Sequence, residues 1–141
     1  MSDEGETQVG IVVVSHSARA AEGTAEIAAQ MAPGVRLLPV GGLPDGDLGT
    51  DTVQVMEAIQ HADSGAGVVV LADVGSTIIG VKAALELLEG VDPELRGRVR
   101  LSRGPLVEGA LFAAVQASVG DALEGVLATA DAASTVPKDV D

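Results

Sequence analysis

The chain has no cysteine, no tryptophan, no tyrosine and a single phenylalanine among its 141 residues. Without thiols there is no disulfide, no thiolate metal site and no cysteine nucleophile. The lack of Trp and Tyr removes the rings on which bases stack, and a formal charge of −13 repels phosphate backbones, so nucleic acid is excluded as a partner. His16 and His61 are the two imidazoles, too few to suggest a zinc site, and neither a metal nor a resident cofactor is expected. No apolar run approaches the ~18–20 residues that a membrane helix needs. The opening Met1-Ser-Asp-Glu-Gly-Glu6 lacks the basic and apolar regions of a signal peptide. A cytoplasmic protein with no membrane span is the expectation.

What remains is rich in small and aliphatic residues. Hydrophobic residues make up 47% of the chain, enough for one compact domain whose core is built from Val, Leu, Ile and Ala. Residues 9–130 form that expected domain, between a flexible acidic start at 1–8 and a flexible tail at 131–141. The 21 carboxylates are spread along most of the chain, and just two of the eight basic residues are lysines, Lys82 and Lys138. That balance suits a high-salt, halophilic cytoplasm, where screening relieves self-repulsion. An ordinary acidic protein is the plainer alternative.

Strand and helix patterns alternate. Val9-Gly-Ile-Val-Val-Val14 is a short β-branched run, read as a strand buried on both faces. Ala18–Met31 reads as a helix with Ile27 and Met31 on one face, stopped by Pro33-Gly34. Val35–Val40 is the second strand, and Gly41–Gly49 a loop rich in Gly, Pro and Asp. Thr50 or Asp51 can cap a helix running to about His61. Gly67–Leu71 is the third strand, about Ile78–Leu88 a helix, and Val99–Leu101 the fourth strand. Helices follow from about Leu106 to Val119 and from about Gly120-Asp121 to Ala130. This alternation predicts an α/β fold, a doubly wound, parallel four-stranded sheet of order 2-1-3-4 with helices on both faces. Chemistry in such a sheet gathers beyond the carboxyl ends of strands one and three. The loops Ser15-His16-Ser17 and Ala72-Asp-Val-Gly-Ser76 are expected to meet there.

His16 stands between a buried strand and a helix start, a suitable seat for a phosphohistidine. A neutral imidazole nitrogen is the nucleophile, and the resulting anion is stabilised by first-turn amides of Ser17 and Ala18 and by the hydroxyls of Ser15 and Ser17. Asp73 is placed to accept a hydrogen bond from one ring nitrogen, fixing the tautomer and leaving the other lone pair free. Gly75 lets backbone pass close to a phosphate, and Ser76 donates to it or caps the next helix. The local strings also fit a polar loop and a plain strand-to-helix turn.

Val12-Val-Val-Ser-His-Ser-Ala-Arg19, Gly49-Thr-Asp51 with Val55-Met-Glu-Ala-Ile59, Asp73-Val-Gly-Ser76 and Pro105-Leu-Val-Glu-Gly109 occur in that order. Together they resemble the mannose-family EIIA fold and, more narrowly, the phosphotransfer subunits of phosphotransferase-dependent dihydroxyacetone kinases, over about residues 9–130. The resemblance implies a relay in which His16 carries phosphate and Asp73 orients the ring. The phosphocarrier HPr loads His16. The group then passes to ADP on a nucleotide-binding kinase subunit, and the ATP formed phosphorylates dihydroxyacetone on a third subunit. It also implies a homodimer, and a chain of this length implies separate HPr and enzyme I. The segment Ile78-Ile-Gly-Val-Lys82 departs from relatives, which more often carry small polar and acidic residues there.

Two other readings stand beside this one: an EIIA component of a sugar-transporting phosphotransferase system, and a non-enzymatic small-ligand or regulatory module. Arg96, Arg98, Arg100 and Arg103 are read as protecting an edge strand and pairing with surplus carboxylates, or as meeting an acidic or nucleotide-bearing partner. His61 is read as a surface residue and Glu108 as a cap contact.

Overall fold

A computed structural model describes residues 7–140. Four strands, β1 (Gly10–Ser15), β2 (Leu37–Gly41), β3 (Val68–Ala72) and β4 (Val99–Leu101), form one sheet of order β2-β1-β3-β4. Every pairing is parallel, with Val14 level with Val40 on one side and Ala72 on the other. The helices are α1 (Ala18–Met31), α2 (Thr52–Ala62), α3 (Gly75–Val91), α4 (Pro93–Arg96), α5 (Leu106–Ser118) and α6 (Leu123–Asp131), followed by a 3₁₀ turn at Ala132–Thr135. The doubly wound sheet expected from the alternation is the one found.

The central strands β1 and β3 are buried along their whole length, which is why they read as unbroken apolar runs. Successive side chains on a strand go to opposite faces, and the core divides accordingly. Val12, Val14, Val68 and Val70 pack with α2 and α3 residues such as Val55, Ile59, Val81 and Leu88. Ile11, Val13, Val69 and Leu71 pack on the other side with Ala21 and Ala28 of α1 and Ala110, Ala113, Ala114 and Ala117 of α5.

Small residues let α1 lie close to the sheet, and this reverses one expectation. The buried stripe of α1 is Ala21, Thr24, Ala25 and Ala28, while Ile27 and Met31 are exposed at 48% and 63%. Their four-residue spacing marks the outer face. Asp51, rather than Thr50, caps α2 by accepting from the Val53 and Gln54 N–H groups. Helix α3 begins at Gly75, three residues before its expected start, so Ser76 lies inside the first turn and caps nothing. The short α4 was not expected at all. Asp92 caps it through the Leu95 N–H, and Pro93 occupies its first position.

At the two ends, Gln8 is tied to Ser118 and Ser64, and Ala133, in the segment read as a tail, is 3% exposed. The remainder of the acidic start, residues 1–6, and Asp141 lie outside the described residues.

Candidate active site

The chain reverses its winding direction between β1 and β3, so the loops leaving these neighbouring strands open a crevice at the carboxyl edge. His16 follows β1 and Asp73 follows β3. The His16 Nδ1 lies 2.8 Å from Asp73 Oδ2. The imidazole is 40% exposed and the carboxylate 15%.

Asp73 is held from several sides. Its Oδ2 accepts from Ser15 Oγ at 2.6 Å and, at a longer 3.4 Å, from the His16 backbone N–H. Its Oδ1 accepts from the Val74 N–H at 2.7 Å. Partial burial raises the pKa of this carboxyl, but donation from the Ser15 hydroxyl, the His16 ring and the Val74 N–H, with the Thr77 hydroxyl nearby, outweighs it and lowers the value to about 2. Asp73 is therefore ionised at neutral pH and can only accept. It follows that Nδ1 of a neutral His16 carries the ring hydrogen, and Nε2 keeps its lone pair.

Two helix N-termini border the ring. In α1 the first intrahelical bond runs from Ala21 N–H to Ser17 O, and Ser17 Oγ accepts from the Ala20 N–H. The Ala18 amide comes before these bonds, in the orphan first turn. In α3 the first intrahelical bond runs from Ile78 N–H to Val74 O, and no side chain caps the helix. The amides of Gly75 and Ser76 are thus available to an anion beside His16.

Three assignments change in detail. Ser15 is fully buried and gives its hydroxyl hydrogen to Asp73, so it supports the carboxylate and is not free to donate to a phosphate. The Ser17 N–H donates to Ser15 Oγ at 3.0 Å and is likewise engaged. The Ser17 hydroxyl caps α1 and retains its own hydrogen. Ala18, Gly75 and Ser76 remain exposed at the crevice.

The sequence reading missed two contributors. Thr77, fully buried in the first turn of α3, helps stabilise the Asp73 anion, although its hydroxyl has no partner in good hydrogen-bond geometry among the described residues. Its place four residues after Asp73 was the available signal. Gly49 donates its N–H to the His16 carbonyl at 2.9 Å, which makes the end of the Gly41–Gly49 loop part of the wall of the site. Gly41 explains the close fit there: a Cβ at this position would stand 2.5 Å from Ser17 O and 2.8 Å from Ala18 Cα.

The arginine cluster separates into single roles. Arg98 pairs with Asp63, Arg100 with Glu124, and Arg96 donates to Val99 O. His61 is exposed at the end of α2, and Glu108 lies 3.7 Å from Lys138. Among the described residues no group of three or more His, Cys, Asp and Glu side chains forms a metal site, and no helix is long and apolar enough to cross a membrane.

Known proteins similar to this chain fall in one family. The EIIA-man family model, described as "PTS system fructose IIA component", matches residues 10–127. The phosphoryl donor subunit DhaM of the PEP-dependent dihydroxyacetone kinase of Klebsiella michiganensis is 41% identical over 123 residues, covering 84% of this chain and 25% of that protein. The chain thus spans about a quarter of the length of that relative. The DhaM subunit of dihydroxyacetone kinase 2 of Listeria innocua is 37% identical over 120 residues, covering 84% of this chain and 94% of that protein. The crystal structure of a protein of unknown function, EF1359, superposes with a TM-score of 0.78 at 32% identity, covering 88% of this chain and 93% of the other.

Proposed function

This chain belongs to the EIIA-man family of phosphotransferase-system components, and on that premise we propose that it is a phosphohistidine relay serving a dihydroxyacetone kinase. The observation that carries the reading is the 2.8 Å contact between His16 Nδ1 and an ionised Asp73, which leaves Nε2 as the nucleophile. Phospho-HPr loads Nε2. The ring becomes cationic as the N–P bond forms, and Asp73 balances that charge while Nδ1 keeps its hydrogen. The amides of Ala18, Gly75 and Ser76 and the Ser17 hydroxyl face the phosphoryl oxygens. Little proton movement is needed, so in-line placement and charge stabilisation do the catalysis. The phosphoryl group then passes to ADP on the nucleotide-binding subunit, and the ATP formed serves the dihydroxyacetone-binding subunit. The working unit is a cytoplasmic homodimer.

Support for the kinase over a sugar transporter comes from the names of the relatives and from Pro105-Leu-Val-Glu-Gly109. The family description names a fructose IIA component of the phosphotransferase system, which keeps a sugar-transporting EIIA as the second reading. Isotope transfer separates them. Labelled phosphoprotein should lose its phosphate to the ADP-loaded nucleotide subunit and not to dihydroxyacetone offered alone. Retention of label with that subunit, and its loss to a membrane sugar component, would favour the transporter.

A further inference from the structure

The turn that presents His16 is built twice in this molecule. At the end of β1, Ser15 Oγ donates to Asp73 at 2.6 Å, the His16 N–H points to the same oxygen at 3.4 Å, and the Ser17 N–H donates back to Ser15 Oγ at 3.0 Å. At the end of β4, Ser102 Oγ donates to Asp131 Oδ1 at 2.6 Å, the Arg103 N–H donates to the same oxygen at 2.9 Å, and the Gly104 N–H donates back to Ser102 Oγ at 2.9 Å. Residue for residue, Arg103 stands where His16 stands. Both serines are buried and Arg103 is exposed. The second turn is also held from behind, since a Cβ on Gly104 would collide with the Ala130 carbonyl.

Charge sets Arg103 apart from its neighbours. Arg36, Arg96, Arg98, Arg100 and Lys138 all bond to backbone carbonyls or carboxylates. Of the eight basic residues, Arg19, Lys82 and Arg103 make no side-chain hydrogen bond or ion pair among the described residues. In a chain with 21 carboxylates, a fixed turn that holds an arginine exposed and without an ion pair among the described residues offers it to an outside anion. Arg103 lies at the same sheet edge as His16, with β3 between their strands. Two strand spacings across and a stagger of two residues along the strands put their backbones roughly 12 Å apart, within the combined reach of an arginine side chain and a diphosphate.

We infer that Arg103 binds the phosphates of the nucleoside diphosphate that a partner brings to phospho-His16, and acts in discharge of the histidine but not in its loading. The inference rests on the relay reading. In discharge the Nε2–P bond breaks and a bond forms between phosphorus and a terminal oxygen of the diphosphate. The ring nitrogen recovers its electron pair, Nδ1 keeps its hydrogen, and the imidazolium becomes neutral imidazole as the nucleotide gains one negative charge. Loading brings one phosphoryl group on a nitrogen. Discharge sets that group against two further phosphates, and a guanidinium can grip their oxygens in a planar, bidentate way. Arg19 sits in the first turn of α1 beside His16, where both steps would feel its loss.

The test is single-turnover kinetics with Arg103→Gln, Arg103→Lys and Lys82→Gln, together with binding of each to the nucleotide-free kinase subunit. Arg103→Gln should slow transfer to the ADP-loaded subunit by roughly tenfold, with partial recovery in Arg103→Lys. Loading by phospho-HPr and binding without nucleotide should stay within about twofold of wild type, a small fraction of the tenfold step. Normal discharge by Arg103→Gln beside an active wild type would overturn the inference alone. An equal loss in loading, in nucleotide-free binding or in Lys82→Gln would overturn it too, because the effect would be general charge. A wild type that never passes phosphate to ADP would bring down the relay reading and this inference with it.

Discussion

Strand β3 has an aspartate at each end, and the two are used in opposite ways. Asp63 precedes it at the amino edge, where Oδ2 meets Arg98 Nη2 at 2.7 Å and Oδ1 accepts from Arg98 Nε and the Gly65 and Gly67 N–H groups. Asp73 follows it at the carboxyl edge, where the Ser15 hydroxyl, two backbone N–H groups and an imidazole surround the carboxylate. Both acids are lowered in pKa, Asp63 chiefly by its hydrogen bond to Arg98, Asp73 by its donors against the cost of burial. The difference lies in the partner. A guanidinium is charged at every working pH, so the Asp63 pair is a static clasp between the α2–β3 and α4–β4 connections. An imidazole has a second nitrogen, and Asp73 leaves that nitrogen unengaged among the described residues, with its lone pair intact.

Substitutions break this comparison most sharply at the carboxyl edge. His16→Ala should abolish phosphorylation by phosphoenolpyruvate, enzyme I and HPr while circular dichroism stays native, because a 40% exposed ring adds little to the core. Asp73→Asn keeps the size and loses the charge that balances the cationic ring. Single-turnover loading should slow about a hundredfold, a typical loss of ~2–4 kcal/mol for one such electrostatic contact. Asp63→Asn should do the reverse. Its loading rate should match wild type, while removing one partner of a bidentate pair whose guanidinium is 36% exposed should lower stability by about 1 kcal/mol in a denaturant melt, solvent screening reducing the loss. Slow loading in Asp63→Asn would show that the two ends of β3 are coupled.

Acid sharpens the contrast. Asp73 titrates near 2 in the fold against an ordinary 3.8. Its contribution is therefore complete above about pH 4 and is lost as pH falls toward 2, on the order of 2 kcal/mol. Stability of Asp73→Asn should consequently fall less steeply than wild type over that range, which melts at several pH values would measure. Salt should have the smallest effect. If the charge of −13 is an adaptation to high ionic strength, molar potassium chloride should raise the melting temperature by a few degrees, in keeping with about 1 kcal/mol of screened repulsion. A midpoint that is flat or falls with salt would remove the halophile reading.

Much of this arrangement is legible in the sequence. Continuous apolar runs marked β1 and β3, their alternation with helices fixed the sheet order, and the order brought His16 and Asp73 to one edge. The role of Ser15 was hidden by the same property that revealed its strand: in a segment buried on both faces, no alternation tells which way a residue points. Helix α3 was shortened because Gly75-Ser76 reads as a loop by local preference, whereas the packing of Thr77 and Val81 holds the first turn in place. Ile27 and Met31 misled because helix faces were judged by residue size, and here alanines make the contact. The matching turns at Ser15 and Ser102 had no sequence signal, since each needs an aspartate 58 or 29 residues away.

The central claim is that Asp73 holds Nδ1 so that Nε2 carries the phosphoryl group. Protein labelled with ¹⁵N at histidine, phosphorylated by phosphoenolpyruvate, enzyme I and HPr, and followed by ¹⁵N and ³¹P NMR, tests it directly. The account predicts one phosphoryl group, bonded to Nε2 of His16, with a hydrogen retained on Nδ1. Phosphate on Nδ1 of His16, or on His61 or a carboxylate instead, would contradict it.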